Sequence, residues 1–208
     1  MKTWSIILFL ISMPFVYKTK AGTTSEGNYP FVEFLQEYLT LRFSDKDFHE
    51  YIYVSIKRQR MFLIRDGQVM KEFVVSTSAQ GAGNNANSLQ TPLGLHSVKT
   101  KIGEDVPLNG IFINHVFSGN IATIHNDKTA SKSDDVTTRI LWLIGEEPGI
   151  NSGGNVDSYK RNIYIHGTPD EGLLGHPASH GCIRLSNRDV TDLFNIINVG
   201  TYVIILNN

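Results

Sequence analysis

The chain has 208 residues, of which 41% are hydrophobic, and its 19 lysine and arginine residues nearly balance 20 aspartate and glutamate residues. These values predict one globular domain with a small extension. The formal net charge of -1 and the absence of a run of basic residues exclude nucleic acid as an expected partner. A single cysteine, Cys182, excludes an internal disulfide framework and a multi-cysteine zinc site. Its thiol is therefore a buried apolar group, an intermolecular link or a reactive nucleophile.

Residues 1–21 predict a secretory signal peptide. A lysine precedes the apolar run from Trp4 to Val16, which is shorter than the roughly 20 residues that a membrane-spanning helix needs. Thr19 and Ala21 are small enough for cleavage after Ala21. We expect an exported protein with no stable membrane span after cleavage. An uncleaved anchor is the alternative, because two lysines flank the proposed cleavage site.

Residues 22–48 are expected to form a linker and a short N-terminal helix. The first part, from Gly22 to Asn28, is small and polar, and Pro30 follows at a position that a first helical turn tolerates. Apolar side chains then recur with the i, i+3, i+4, i+7, i+8 spacing of one helix face. These residues are Phe31, Phe34, Leu35, Tyr38 and Leu39.

From residue 49 onward, β-branched and aromatic runs separated by turn residues predict a mainly β domain with a few helices, an α+β fold, over residues 49–208. Asp66-Gly67 between two apolar runs is typical of a β-hairpin. The polar stretch 79–88 is expected to be a mobile loop, and Ser186 is expected to cap a helix that ends near Gly200. The predicted strands are 51–56, 60–64, 69–76, 94–101, 111–117, 139–144, 162–166 and 202–206.

The surroundings of Cys182 favour nucleophilic catalysis. A thiol attacks a carbonyl as the thiolate, so it needs a base or a positive neighbour. In an extended segment His180, Cys182 and Arg184 share one face, which predicts that the pKa of the thiol is lowered. His166 ends an earlier strand, and the intervening turn residues can return it to the cysteine. Because Gly181 has no side chain, nearby N–H groups could stabilise an oxyanion, by about 3 to 4 kcal/mol per donor.

The segment Ile165-His166-Gly167-Thr168 and the later Ser179-His180-Gly181-Cys182-Ile183-Arg184-Leu185-Ser186-Asn187 carry a resemblance. Together they resemble the signature of the L,D-transpeptidase catalytic domain, the YkuD-like family that remodels bacterial peptidoglycan. The likeness extends over about residues 51–206. It implies a mixed β-sandwich or barrel with a short N-terminal helix and a helix after the cysteine.

The resemblance also implies roles for individual residues. Cys182 would be the nucleophile, His166 the proton acceptor and donor, and His180 a second catalytic histidine. The Gly167 carbonyl would orient the His166 ring, and Gly181 would contribute to the oxyanion site. The expected supporting or substrate-binding residues are Arg184, Ser179, Thr168 and Asn187.

The implied reaction begins with a thioester between Cys182 and a peptidoglycan tetrapeptide stem, which releases D-alanine. An amine of a second stem, or of an envelope protein, would then take the acyl group in the periplasm or cell wall of a bacterium. With water as acceptor the enzyme would be an L,D-carboxypeptidase, and without turnover it would be a wall-binding module. No cofactor or metal is expected; a zinc hydrolase using His166, His176, His180 and Cys182 is a further alternative.

Several other residues are interpreted as structural. Asp170-Glu171 is expected to form a solvated turn, and Trp142 to pack in the core rather than bind sugar. Residues 167–178 are expected to form one wall of the donor cleft, and residues 80–90 a movable flap. Ordinary surface or core roles are expected for His96, His115 and His125.

Overall fold

The computed structural model describes residues 29–208, so the expected signal peptide and the start of the linker lie outside the described residues. None of the helices within 29–208 is long and apolar enough to cross a membrane. The helices are α1 (Phe31–Arg42) and α2 (Asn187–Ile196), with short 3-10 turns at Gly154–Val156 and Glu171–Leu173. The strands are β1 (Glu50–Ser55), β2 (Arg60–Arg65), β3 (Gln68–Val74), β4 (Gly94–Ile102), β5 (Gly110–Ile113), β6 (Val116–Ile121), β7 (Val136–Gly145), β8 (Tyr164–Gly167), β9 (Ile183–Leu185) and β10 (Tyr202–Leu206).

Eight strands follow one path in the order β3-β2-β1-β10-β4-β7-β5-β6. Strand β8 leaves this path by pairing with β7, and β9 pairs with β8. The pairs β1–β10 and β8–β9 are parallel, whereas the other pairs are antiparallel. This architecture confirms the expected mainly β fold with two helices.

Helix α2 begins where the sequence predicts and covers one face of the sheet. The Ser186 hydroxyl accepts a hydrogen bond from the Asp189 N–H at 3.0 Å, which satisfies one of the free N–H groups of the first turn. Val190, Leu193 and Phe194 are buried against β7, β8 and β9. Each such side chain contributes about 1.5 to 3 kcal/mol by leaving water. The helix therefore fixes the strands that carry the motif residues.

Helix α1 packs on the face of the sheet opposite to α2. The side chains that it buries there differ in part from the predicted ones. Val32, Leu35 and Leu39 are buried, whereas Phe34 is 61% exposed. The prediction that Phe34 belongs to the packing face is therefore wrong. Val32 instead belongs to the buried cluster that includes the aromatic residues Tyr51, Tyr53 and Phe62 of β1 and β2.

The turn residues decide where the strands end. Asp66 and Gly67 have φ values of 51° and 73°, the left-handed pair that a two-residue hairpin requires, so the hairpin between β2 and β3 is confirmed. The predicted single strand 111–117 is wrong, because Asn114 and His115 also have positive φ, 48° and 67°. These two residues turn the chain into a second hairpin that joins β5 and β6.

We expect Leu193→Ala to lower the free energy of unfolding by about 3 kcal/mol, because it leaves a cavity under α2. Ile196→Ala in the same helix is the matched control, since that side chain is 43% exposed. It should cost less than about 1 kcal/mol. Urea unfolding followed by circular dichroism measures both values. Equal losses would contradict the assigned packing face of α2.

Candidate active site

The parallel register between β8 and β9 gathers the motif residues. Ile165 pairs with Ile183, and both side chains are completely buried in the core. Because side chains alternate along a strand, the neighbours of these isoleucines point to the other face. Tyr164 and His166 on β8 therefore share a face with Arg184 on β9 and with Cys182 just before it. The Tyr164 N–H lies 3.4 Å from the Cys182 Sγ atom.

The tautomer of His166 follows from its one polar contact. Its Nδ1 atom lies 2.8 Å from the Gly167 carbonyl oxygen, which can only accept a hydrogen bond. The proton is therefore on Nδ1, and Nε2 carries a lone pair. Burial lowers the pKa of His166 to about 4, so the ring is neutral at pH 7. The structure thus presents a neutral imidazole that can accept a proton at Nε2.

Cys182 is a neutral thiol in this state of the protein. Desolvation raises its pKa to about 12, and the Asp134 carboxylate acts in the same direction. Arg184 and Arg161 lower it, but by less. The prediction that flanking charges lower the pKa of the thiol is therefore wrong. The protonated sulfur donates to the Asn162 carbonyl oxygen at 3.3 Å.

Arg184 is buried and neutralised by two carboxylates. Its Nη2 atom lies 2.5 Å from Asp134 Oδ1, and Nη1 lies 3.9 Å from Asp170 Oδ2. Asp170 is only 4% exposed, so the expectation of a solvated turn is wrong. A buried guanidinium needs a compensating negative charge. The attraction between Arg184 and Asp170 therefore keeps this turn inside the protein. The geometry makes Arg184 an anchor for the loops around the site.

The carboxylate of Glu171 also has a structural role. It accepts hydrogen bonds from the backbone N–H and the side-chain amide of Asn187, each at 2.8 Å. The Asn187 amide further donates to the Thr168 carbonyl at 2.8 Å, and its oxygen accepts from the Thr137 hydroxyl at 2.6 Å. A Cβ atom on Gly167 would lie 2.6 Å from that amide oxygen. Asn187 therefore requires glycine at 167 and joins α2 to the end of β8.

Ser179 shapes the turn that precedes the sulfur. Its hydroxyl donates to the Cys182 carbonyl at 2.6 Å and accepts from the Gly181 N–H at 3.2 Å. That N–H is therefore engaged and is not a free oxyanion donor. Gly181 has φ of 124°, a conformation that disfavours a side chain. Thr168 has a comparable local role, since its hydroxyl accepts from the Asp170 N–H at 3.1 Å.

His180 lies at the surface and contacts a carboxylate that the sequence analysis missed. Its Nδ1 atom lies 2.7 Å from Asp134 Oδ2. Burial alone would raise the pKa of Asp134, but Arg184 and the His180 hydrogen bond hold that pKa below its usual value. Asp134 lies in the segment between β6 and β7, remote from the motif in sequence. The only signal for it was indirect: a buried arginine needs an acidic partner.

A cleft of about 300 Å³ is lined by His180 and by Asn162, whose carbonyl oxygen accepts from Cys182; Cys182 itself does not line it. Arg161, also in its lining, donates to the carbonyls of Asn84 at 2.8 Å and Gln90 at 2.6 Å. The loop predicted to be mobile is thus anchored in this structure. The remaining lining residues are Ala86, Asn87, Leu89, Gly154, Asp157, Lys160 and Ile163, and the expected donor wall 167–178 contributes none.

An aromatic stack supports the other side of the site. Trp142 is half-buried and lies between the His115 and Tyr159 rings, with both centroid distances 4.3 Å. The His115 Nε2 atom lies 2.6 Å from the Tyr164 hydroxyl, which joins the β5–β6 hairpin to β8. His96 is completely buried and bonded to Ser158 at 2.9 Å, which confirms its structural role.

Within residues 29–208, no group of three histidine, cysteine, aspartate or glutamate side chains is placed to hold a metal ion. The arrangement provides a thiol, a neutral imidazole with a defined tautomer, and a cleft. These are the groups that acyl transfer to and from a cysteine requires.

The L,D-transpeptidase catalytic domain family, YkuD, matches residues 49–205. The chain therefore belongs to this family, which confirms the resemblance. Over 66 residues it is 38% identical to the Bacillus licheniformis protein named "Putative L,D-transpeptidase YkuD", covering 29% of this chain and 39% of the relative. The protein of the same name from Bacillus subtilis is 40% identical over 60 residues, covering 26% and 37%. The matches thus span less than half the length of these curated relatives.

The chain also resembles solved structures of L,D-transpeptidases. An L,D-transpeptidase from Xylanimonas cellulosilytica has a TM-score of 0.47 and 17% identity, covering 82% of this chain and 69% of that one. L,D-transpeptidase 3 from Mycobacterium tuberculosis has a TM-score of 0.46 and 17% identity, covering 76% and 61%.

The neutral thiol leads to a prediction about alkylation. The rate of Cys182 modification by iodoacetamide should still be rising with pH at pH 10, because burial raises the pKa of the thiol to about 12. The urea-unfolded chain is the control, and its rate should level off just above a pKa of about 8.5. Mass spectrometry measures both rates. A plateau below pH 8 in the folded protein would show that the thiolate is already formed.

The buried histidines lead to a prediction about acid stability. Burial lowers the pKa values of His96 and His166 to about 4 in the fold, against about 6.5 in the unfolded chain. The unfolded state therefore binds more protons as the pH falls below about 6.5, and stability is lost down to about pH 4. Each histidine should cost about 2 kcal/mol between pH 7 and pH 5.

His96→Gln tests this linkage. The variant should lose about 2 kcal/mol less than the wild type over that pH range, even if it is less stable at pH 7. His176→Gln is the control for replacing a histidine, because His176 is exposed. Urea unfolding at both pH values measures the difference. Parallel pH profiles for wild type and His96→Gln would contradict the prediction.

Proposed function

We propose that the protein is an exported cysteine acyltransferase, an L,D-transpeptidase that acts on peptidoglycan stem peptides. Membership of the family supports the class of reaction. The observation that carries the proposal is that Cys182 and His166 lie on the same face of the β8–β9 pair, with the His166 ring oriented by the Gly167 carbonyl. A wall-binding module would have no use for a nucleophile and a base placed together.

The first half of the reaction makes the acyl-enzyme. As Sγ of Cys182 attacks the carbonyl carbon before the terminal D-alanine, Nε2 of His166 takes the thiol proton. Because both groups are neutral beforehand, this transfer accompanies the attack. The imidazolium then protonates the nitrogen of the departing D-alanine, and the C–N bond breaks. The products are a thioester on Cys182, free D-alanine and neutral His166.

The second half transfers the acyl group. An amine of another stem attacks the thioester, the C–S bond breaks and the sulfur recovers a proton. An envelope protein is the other proposed amine donor. Water in place of the amine gives a trimmed stem, which is the L,D-carboxypeptidase outcome. Neither half requires a cofactor or metal.

The proposed domain organisation and location accompany this function. Residues 1–21 would be a signal peptide, residues 22–48 a linker with the N-terminal helix, and residues 49–208 the catalytic domain. The enzyme would work in the periplasm or cell wall of a bacterium, where its substrate lies. The 1–21 segment supports export by its basic start and short apolar run.

Incubation with a tetrapeptide stem tests the proposal. The wild type should release D-alanine, form cross-linked dimers and show an acyl adduct on Cys182 by mass spectrometry. Cys182→Ala should abolish all three, and His166→Gln should reduce D-alanine release by about 10² to 10⁴-fold. His176→Gln, an exposed histidine change, should retain full activity. Turnover by Cys182→Ala would overturn the mechanism, and release without dimers would assign the carboxypeptidase activity instead.

A further inference from the structure

The two histidines of the site lie in opposite environments. His166 is 3% exposed and bonded to a backbone carbonyl. The His180 side chain is 62% exposed and bonded to the Asp134 carboxylate, whose side chain is 29% exposed. Asp134 has no role in the proton transfers of the first half-reaction. The His180–Asp134 pair thus places a histidine with a carboxylate partner two residues before the proposed nucleophile.

The carboxylate defines the His180 tautomer. Asp134 Oδ2 is an acceptor at 2.7 Å, and so the ring proton lies on Nδ1. The lone pair is then on Nε2, which has no hydrogen-bond partner in the part of the chain that the structure describes. His180 lines the cleft of about 300 Å³ that also includes Asn162, the hydrogen-bond partner of Cys182. A proton acceptor is therefore available at a solvent-accessible cleft.

The second half-reaction needs such an acceptor. An alkyl amine of the lysine type has a pKa of about 10.4, so it enters the site as an ammonium group without a lone pair. One proton must leave before it can attack. The buried His166 is poorly suited to hold that charge, since desolvation disfavours its imidazolium. The His180 side chain is exposed to water, and its Nδ1 atom lies against the Asp134 carboxylate, so a proton taken at Nε2 has a negative charge nearby and a route to solvent.

We propose that His180 is the catalytic base for the acyl acceptor and that Asp134 is the residue that positions it. His180 Nε2 takes one proton from the ammonium group, and the freed lone pair attacks the thioester carbon. The C–S bond breaks, a second amine proton passes through His166 to the sulfur, and the third stays on the new amide. His180 then releases its proton to water. This inference rests on the proposed transpeptidase function.

The neighbouring charges are compatible with this role. Arg184 shares the Asp134 carboxylate through its other oxygen at 2.5 Å, and Asp170 supplies a second negative charge to that guanidinium. The cleft itself contains Asp157, Lys160 and Arg161. Arg161 is directed to the backbone carbonyls of the 80–90 loop.

Separate measurement of the two half-reactions tests the inference. A tetrapeptide stem donor gives the rate of Cys182 acylation by mass, and Nα-acetyl-lysine as acceptor gives the rate of aminolysis. His180→Gln should lower aminolysis at pH 7 by at least about tenfold while acylation changes by less than about threefold. Asp134→Asn, which also removes a partner of Arg184, should lower aminolysis by a larger factor than acylation. Asp135→Asn is the matched control, because that carboxylate contacts Ser133 and not His180.

Hydroxylamine distinguishes a base from a structural residue. It is largely uncharged at pH 7, so it needs no proton removal, and it should deacylate both variants at nearly the wild-type rate. If both acceptors are slowed equally, or acylation falls as much as aminolysis, the inference is wrong. His180 is exposed, so His180→Gln keeps the test valid if Asp134→Asn unfolds. If the wild type forms no acyl-enzyme, the proposed function itself fails.

Discussion

The neutralisation of Arg184 is the interaction on which the rest of the site depends. Its side chain, on β9 close to Cys182, is 3% exposed. A buried positive charge is stable only when negative groups lie beside it. Asp134 comes from the segment between β6 and β7, and Asp170 comes from the turn after β8. Removing one partner of a buried pair typically costs about 3 to 5 kcal/mol. Three chain segments are therefore held at the cysteine by one charge.

Burial also determines the protonation states of Cys182 and His166. Desolvation disfavours both the thiolate and the imidazolium, so the pKa of Cys182 is raised while the pKa of His166 is lowered. A preformed ion pair would have to overcome both effects. In the proposed mechanism, the neutral thiol and imidazole therefore separate charge only as the sulfur attacks a carbonyl carbon.

Local sequence patterns predicted local structure well. The Asp66-Gly67 hairpin, the Ser186 cap and the last strand depend on residues within a few positions of one another, and all three are present. The motif residues also converge, because β8 and β9 pair in register.

The failures of prediction have a common physical cause, which is long-range contact. Phe34 fits a helical period, but the face that packs is chosen by the sheet beneath it. Asp134 and Arg161 matter through partners distant in sequence, and no local pattern identifies a carboxylate that neutralises a distant arginine. The thiol pKa was mispredicted for the same reason: the sequence reveals charged neighbours but not the water that packing removes.

The contrast between the two histidines follows from where each lies relative to the core. His166 belongs to a strand whose alternate residues fill the core, and among residues 29–208 its hydrogen-bond partner is the adjacent Gly167 carbonyl. His180 belongs to a surface turn and meets a carboxylate that the buried arginine already requires. The two histidines therefore differ in hydrogen-bond partner and in access to water, and the proposed mechanism assigns them to different proton transfers. Asp134 links these requirements, because one carboxylate both neutralises Arg184 and orients His180.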